Sequence, residues 1–250
     1  MRQTLKNLRI SLRNRRLRRH PLAAETDPRV DLGGVVARAV VSNDRKYCYF
    51  RLPKCANSTV VNTLATYDPD ITLLAPDPKA RAAKRAFGRL LSAEATSLDS
   101  LQERYFLFTF VRDPYARLLS AYLDKVLTKD PAQFHAGGAD EGSVSFEQFV
   151  TYLEQGGLYD NLHWAPQCSV LPVRPHRLDY CGYVEDLDQG LEYVVNRIFG
   201  EGAFHGARNR EAGRRRAGGL IEKYYTSSLK GRVYELYRQD FVEFGYHRDV

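Results

Sequence analysis

Residues 105–114 read YFLFTFVRDP, and this stretch indicates the class of fold. Its first seven residues, Tyr105 to Val111, are apolar or aromatic except for one threonine, as expected for a central strand that is covered on both faces. The run ends at a charged pair and a proline, and proline suits the first turn of a helix. Apolar side chains then recur at helical spacing in residues 115–127. We therefore predict a buried strand, a short polar turn and a helix.

A second unit of the same kind lies upstream. Residues 47–52 are rich in aromatic side chains and end before Pro53, which predicts a strand. Residues 53–58 read PKCANS and predict a loop, and residues 59–66 continue as a helix with Asn57 or Ser58 as its N-cap. In an open α/β sheet both loops lie at the carboxyl edge of the strands, where ligands bind.

The remaining segments extend this pattern into an α/β fold, a P-loop-like three-layer arrangement with a central, mostly parallel sheet flanked by helices. A short strand is predicted at 34–41, another strand at 180–184, and helices at 78–93, 97–103, 146–153, 186–199 and 220–244. We assign residues 1–44 to a basic leader and connection. Residues 45–250 then form a single domain, since a chain of this length can bury one sizeable core.

The first loop predicts an anion site. The N–H groups of residues 54–59, the hydroxyls of Ser58 and Thr59 and the ammonium of Lys54 can converge on one anion at a helix N-terminus. The GxxxxGK[ST] pattern of nucleotide triphosphatases is absent, because the loop has no glycine and its lysine precedes the hydroxyls. The second strand runs into Arg112, not into an Asp that would hold Mg²⁺, which favours a second phosphate over a metal.

These two stretches resemble the paired signatures of the sulfotransferases, and among them the carbohydrate branch that modifies chondroitin, dermatan and related glycans. The more specific stretch is FVRDPYARLLSAYLDK at residues 110–125. The likeness continues, in the order of the family, at residues 146–149, 163–167, 183–187, 224–225, 236–241 and 244–246. With a basic leader in place of the N-terminal membrane span of Golgi relatives, the chain is more similar to compact bacterial members.

The resemblance implies that 3′-phosphoadenosine 5′-phosphosulfate is the sulfuryl donor and that no metal is needed. It places the 5′-phosphosulfate on the first loop and the 3′-phosphate on the second unit. The implied donor-binding residues are Lys54, Cys55, Ala56, Asn57, Ser58 and Thr59 in the loop, and Arg112 and Ser120 in the second unit. We expect Arg117 and Lys125 to be structural or salt-bridged, and Asp113 to cap the helix that begins at Pro114.

Transfer to an acceptor hydroxyl needs a cation at the leaving oxygen and a base that removes a proton. Lys54 meets the first need. His163, at the His-Trp position of the family, has a pKa range suited to the second, with a structural core histidine as the alternative. Glu185 is the second candidate base and a structural salt bridge its alternative, whereas His135 in a glycine-rich loop is expected to be solvent-exposed. The acceptor is expected to be a carbohydrate or another hydroxyl compound.

The net charge of +7 is concentrated at one end of the chain. The first 20 residues contain eight Arg or Lys and no Asp or Glu, so the rest sums to −1 and a nucleic-acid partner is not expected. Residues 2–19 are interpreted as a frayed, solvated tail, or as a basic amphipathic helix that contacts an anionic membrane, since Leu5, Leu8 and Leu12 recur at helical spacing. Without a signal peptide or membrane span, the chain is expected to be cytoplasmic.

The sequence leaves open the pairing of two cysteines, the role of one arginine-rich segment and two rival functions. Cys168 and Cys181 would form a disulfide only in an oxidising compartment. The arginine-rich residues 208–216, with Asn209, are interpreted as a lid over the donor or as a disordered surface loop. The rival functions are a P-loop kinase-like phosphotransferase and a noncatalytic protein that binds anions, nucleic acid or membranes. The acceptor and the oligomeric state are not indicated by the sequence.

Overall fold

The computed structural model describes residues 2–23, 25–68, 97–127, 144–207 and 220–248. The strands are β1 (Ala39–Ser42), β2 (Tyr47–Phe50), β3 (Phe106–Val111) and β4 (Tyr180–Tyr183). The helices are α1 (Arg2–Leu17), α2 (Leu32–Val36), α3 (Asn57–Tyr67), α4 (Leu98–Arg104), α5 (Pro114–Lys125), α6 (Phe146–Glu154), α7 (Gln167–Val170), α8 (Leu187–Phe199), α9 (Ile221–Tyr224) and α10 (Ser227–Glu243). The predicted helix at 78–93, His135 and residues 208–216 lie outside the described residues.

The four strands form one sheet in the order β1-β2-β3-β4. β1 pairs with β2 in antiparallel fashion, whereas β2, β3 and β4 are parallel to one another. The sequence-based prediction of a mostly parallel sheet flanked by helices is confirmed. Because β2 and β3 are parallel neighbours, the loops that follow them open at the same edge of the sheet.

β3 is covered on both faces, as its apolar run predicts. Leu107 and Val111 belong to the core cluster on one side of the sheet, whereas Phe108 and Phe110 belong to the cluster on the other. The single polar residue of the strand, Thr109, is fully buried and its hydroxyl donates a hydrogen bond to the carbonyl of Phe50 at 2.7 Å. A threonine is tolerated in this central strand because its polar atom has a partner.

The strand predicted at residues 34–41 is only partly correct. Helix α2 occupies the first part of this segment, and β1 begins at Ala39. A side chain at Gly33, in α2, would collide with the guanidinium of Arg13 on α1, so the two helices approach closely here. The valines favour extended structure locally, but the packing of α2 against α1 decides the conformation here.

The leader is not a frayed tail. It forms helix α1, and Asn14 on that helix is buried. The Asn14 side chain donates to the carbonyl of Val30 at 2.8 Å and accepts from the N–H of Leu32 at 3.0 Å, which fastens α1 to the start of α2. Composition cannot reveal this contact, because the partners of the asparagine are backbone groups far along the chain. No helix in the described part of the chain is long and apolar enough to cross a membrane.

The C-terminal helix predicted at 220–244 is two helices. α9 ends at Tyr224, and α10 begins after Thr226, whose hydroxyl accepts from the N–H of Leu229. Tyr225, between them, is extended and buried, and packs edge-on against Phe146 and Tyr115. The four cysteines are free thiols, including Cys168 and Cys181.

Candidate active site

The loop between β2 and α3 has an unusual backbone. Lys54 has a φ of +70° and Ala56 a φ of +50°, and neither is glycine. Each left-handed residue costs about 1–2 kcal/mol, so surrounding contacts must hold the loop in place. Cys55 between them is fully buried, and its Sγ lies 3.1 Å from Oε1 of Gln167. Strain of this kind occurs preferentially at functional sites.

The predicted N-cap of the helix after this loop is wrong. Helix α3 begins at Asn57, its N-cap is Ala56, and no side chain caps it. Asn57 instead accepts a hydrogen bond from the hydroxyl of Tyr49 at 3.1 Å, and Ser58 is exposed. The helix therefore presents its N-terminus, with the positive end of its dipole, at the carboxyl edge of the sheet. Such a terminus is suited to bind a phosphate or sulfate.

Helix α5 packs back over this loop. Asp113 caps it, accepting from the N–H of Ala116 at 2.8 Å as predicted. Further along, Nε of Arg117 donates to the carbonyl of Pro53 at 3.0 Å, and Asp124 pairs with Nζ of Lys54 at 3.0 Å. Ser120 falls between these two contacts on the same helical face, at spacings of three and four residues. The packing thus directs the Ser120 face of α5 toward the Lys54 loop.

Arg112 reaches the same place from the end of β3. Its side chain is buried and Nη1 donates to the carbonyl of Lys54 at 3.3 Å. Its backbone is held on both sides by one side chain, since Gln167 accepts from the Arg112 N–H and donates to the Arg112 carbonyl, both at 2.9 Å. The three predicted donor-binding positions Lys54, Arg112 and Ser120 are thereby brought to one edge of the sheet.

Two residues of this network, Gln167 and Asp240, were assigned no role from the sequence. Asp240 is fully buried on α10 and its two oxygens accept from the N–H groups of Gln167 and Cys168, at 2.7 and 2.9 Å. Burial raises the pKa of this carboxyl. Both residues lie within the motifs that carry the family likeness, but only the fold shows that Asp240 holds Gln167 and that Gln167 holds Arg112.

The charges around Lys54 are arranged as a pair of cations on one carboxylate. Nζ of Lys54 and Nζ of Lys125 each lie 3.0 Å from the same oxygen of Asp124, so the expected salt bridge of Lys125 is confirmed. Burial lowers the pKa of Lys54, and the hydrogen bond to Asp124 partly offsets that effect. An anion entering this edge would meet two ammonium groups.

Arg117 is structural, as expected. Its side chain is almost completely buried. The guanidinium donates to three backbone carbonyls, those of Pro53, Leu162 and Ala165, at 3.0, 3.2 and 2.8 Å. It therefore joins the Lys54 loop to the segment that flanks His163.

His163 is half-buried beside Asn161, which holds its ring. Oδ1 of Asn161 accepts from the backbone N–H of His163 at 3.1 Å and lies 2.8 Å from the ring Nδ1. A backbone N–H can only donate, so the asparagine atom is an oxygen, and Nδ1 must carry the proton toward it. Nε2 of the neutral ring then keeps its lone pair.

The electrostatic surroundings of His163 include the Lys54 edge. Burial lowers the pKa of this histidine to about 3, and the nearby charges of Arg38, Lys125, Lys54 and Arg117 add to the effect. The imidazole is therefore neutral near pH 7. An anion bound at the Lys54 edge would cancel part of the positive field and raise this pKa.

Glu185, the second candidate base, and two nearby aromatic residues have different surroundings. Both oxygens of Glu185 are engaged, one by the N–H of Asp113 and one by the hydroxyl of Tyr246, each at 3.0 Å. Trp164 is a core residue, because it is buried and its indole N–H donates to the carbonyl of Gly157 at 2.9 Å. Tyr159 is covered by the guanidinium of Arg29, 3.9 Å from the ring centroid.

Replacement of Asp113 gives a pH-dependent test of this edge. Burial raises the pKa of Asp113 to about 6 from the ordinary 3.8. Between about pH 4 and pH 6 this carboxyl ionises more readily in the unfolded chain, so the free energy of unfolding falls as the pH rises through this range. Asparagine caps a helix equally well but does not ionise. Relative to wild type, Asp113→Asn should gain up to about 3 kcal/mol of unfolding free energy above pH 6, with little difference below pH 4.

Chemical denaturation between pH 4 and 8 measures this difference. Asp99→Asn is the control, since Asp99 is an exposed carboxylate in the first turn of α4. A difference between Asp113→Asn and wild type that stays constant over this range would contradict the assignment of a buried, destabilised carboxylate.

The sequence is similar to proteins of one known family. The sequence profile described as "Sulfotransferase family" matches residues 37–247. Carbohydrate sulfotransferase 11 of Rattus norvegicus is 24% identical over 237 residues, which is 83% of this chain and 66% of the relative. Carbohydrate sulfotransferase 14 of Danio rerio is 27% identical over 176 residues, which is 64% of this chain and 47% of the relative. Carbohydrate sulfotransferase 10 of Xenopus laevis is 24% identical over 243 residues, which is 85% of this chain and 68% of the relative.

The alignments do not extend over the whole of these relatives. They cover between 47% and 68% of the relatives' own lengths. No solved structure is significantly similar to this chain.

Proposed function

Because the chain belongs to the sulfotransferase family, we propose that it transfers the sulfuryl group of 3′-phosphoadenosine 5′-phosphosulfate to a hydroxyl of a carbohydrate acceptor. One observation carries the proposal. The packing of α5 over the loop after β2 brings Lys54 and Arg112, from separate strand ends, to one edge of the sheet. Two cationic groups beside a helix N-terminus suit a donor that is anionic at both ends.

In this proposal the donor spans the two strand ends. The N–H groups at the start of α3, with Ser58 and Thr59, bind the 5′-phosphosulfate, and the guanidinium of Arg112 with the hydroxyl of Ser120 binds the 3′-phosphate. The ammonium of Lys54 then leaves Asp124 for the oxygen that bridges phosphorus and sulfur. Lys125 remains on that carboxylate, so Asp124 is not left without a partner.

The reaction is an in-line displacement at sulfur. The acceptor oxygen forms a bond to sulfur while the bond from sulfur to the bridging oxygen breaks, and adenosine 3′,5′-bisphosphate leaves with the additional negative charge. Lys54 stabilises that charge as it develops. The proton of the acceptor hydroxyl passes to Nε2 of His163. The carbohydrate acceptor is inferred from the relatives, whose names state that class.

His163 is preferred as the base over Glu185. Asn161 holds its Nδ1, which leaves Nε2 as the proton acceptor in this proposal. The positive charge of Lys54 contributes to the lowered pKa of the ring, which links His163 to the donor site. Negative charge on the donor would offset the contribution of the nearby cations to the lowered pKa of the ring, whereas the larger effect of burial remains.

His163→Ala is expected to slow sulfate transfer in a single turnover by about 10²–10⁴-fold, the usual contribution of a general base. The affinity for adenosine 3′,5′-bisphosphate should change little, because the imidazole serves the acceptor. Glu185→Gln is the matched comparison, since the amide oxygen of glutamine can accept from the N–H of Asp113 and its NH2 group can donate to the hydroxyl oxygen of Tyr246. Near-wild-type transfer by His163→Ala together with a large loss in Glu185→Gln would reverse the assignment.

The function is tested by donor binding followed by product analysis. Titration calorimetry should show tight binding of adenosine 3′,5′-bisphosphate without added metal, and weak binding of ATP with Mg²⁺. Mass spectrometry of chondroitin, dermatan and simpler saccharides incubated with enzyme and donor should show a sulfate adduct. Preference for ATP with Mg²⁺ and a phosphate adduct would identify the kinase-like alternative instead.

A further inference from the structure

We propose that helix α1 is an anionic-membrane contact surface, held on the body of the protein with its basic outer face turned to a bilayer. The role of this helix is independent of sulfate transfer. It concerns the segment of the chain with the strongest charge, which the candidate active site does not use.

The two faces of α1 differ in what they contact. Asn14 is buried and hydrogen-bonded to the backbone around α2, and Leu17 packs against the core cluster on that side of the sheet. Leu12 lies two residues from Asn14, which is about 200° around a helix, and its side chain is 52% exposed. An apolar side chain therefore lies on the outer face, opposite the docked face.

The surroundings of Leu12 are strongly basic. Arg15, Arg16, Arg18 and Arg19 are exposed. The sequence has no acidic residue before Glu25, so no carboxylate within this segment neutralises them. Arg13 is the exception, because Asp31 pairs with it at 2.6 Å.

An apolar position among arginines favours a membrane over a soluble polyanion. A polysaccharide or a nucleic acid is bound by charge and hydrogen bonds and makes no use of an exposed leucine. An interfacial helix needs both elements, since its leucines enter the boundary of the acyl chains and its arginines attract anionic headgroups. In the sequence, Leu5 and Leu8 precede Leu12 at helical spacing, a pattern typical of an amphipathic helix.

The docking of α1 gives this surface a fixed orientation. An isolated basic helix of 16 residues is marginal in water and would fold only on the membrane. Here the contacts of Asn14 and Leu17 hold it on the protein beforehand. Binding therefore requires little further ordering, and it presents one defined side of the protein to the bilayer.

Vesicle sedimentation with the full chain tests the proposal. We expect binding to phosphatidylcholine vesicles that contain phosphatidylglycerol, no binding to phosphatidylcholine alone, and a loss of binding at high salt. Arg15→Gln/Arg16→Gln should weaken binding by roughly tenfold or more. Leu12→Gln, which leaves the charge unchanged, should weaken it by roughly threefold to tenfold.

The control is Arg174→Gln/Lys223→Gln, which removes the same charge from two exposed residues outside α1 and should bind as wild type. Thermal midpoints should be equal in all variants, because the changed side chains are exposed. Wild-type binding by Leu12→Gln, with equally tight binding of a sulfated polysaccharide, would identify a polyanion surface and overturn the proposal. Failure to bind anionic vesicles, or equal losses in the control, would overturn it as well.

Discussion

Lys54→Ala is expected to lower the rate of sulfate transfer in a single turnover by about 10²–10³-fold, the cost of removing one preorganised donor from a developing negative charge. Lys54 projects from a strained loop at the edge where donor binding is proposed, and its ammonium lies 3.0 Å from Asp124. Adenosine 3′,5′-bisphosphate lacks the transferred group, so its dissociation constant should rise by less than the transfer rate falls.

Lys125→Ala is the matched control. Lys125 carries the same charge and contacts the same oxygen of Asp124, also at 3.0 Å. If Lys54 acts at the bridging oxygen, Lys125→Ala should reduce transfer much less than Lys54→Ala. Equal losses in the two variants would mean that the site needs only general positive charge. Lys54→Arg should recover part of the rate, because it keeps the charge but not the size of the group.

Arg117→Ala is expected to lower the free energy of unfolding by about 3–5 kcal/mol, since each buried acceptor left without a partner costs about 1–3 kcal/mol. Three backbone carbonyls depend on this one guanidinium. A typical domain has a free energy of unfolding of only about 5–15 kcal/mol in total, so this loss is a large fraction of it. Urea denaturation monitored by circular dichroism measures the change.

Arg177→Ala provides the comparison for this stability prediction. Arg177 forms ion pairs with Glu25 and Asp99 at the surface. Exposed ion pairs contribute about 0–1 kcal/mol, so its loss should be small. Arg117→Lys should remain well below wild type, because an ammonium cannot reproduce the planar set of donors that reaches all three carbonyls. A loss below 1 kcal/mol in Arg117→Ala would contradict the structural role.

The elements with strong local patterns were predictable. The apolar run of β3, the aromatic run of β2 and the Asp113-Pro114 start of α5 are each visible within a few residues, and each is confirmed. The N-cap of α3 was not predictable. Asn57 is a favourable cap by composition, but the hydroxyl of Tyr49 engages its side chain, and this contact exists only when β2 and α3 are packed together.

The candidate site also combines residues that the sequence indicated with contacts that it did not indicate. The sequence indicated Lys54, Arg112 and Ser120 by their positions at strand ends and by the family likeness. It did not indicate how Asp240, Gln167 and Arg117 hold these groups, because their partners are backbone atoms 45 to 73 residues away. Side chains that bond to distant backbone leave no periodicity in the sequence.

By itself the sequence determined the α/β class, the two strand-loop-helix units and the concentration of positive charge in the first 20 residues. These follow from hydrophobic period and composition, which are local properties. Only the tertiary structure decided that α5 folds back onto the Lys54 loop and that the basic leader is a docked helix with Leu12 outside. Both depend on buried polar groups finding partners far along the chain, and that requirement is met only in the folded state.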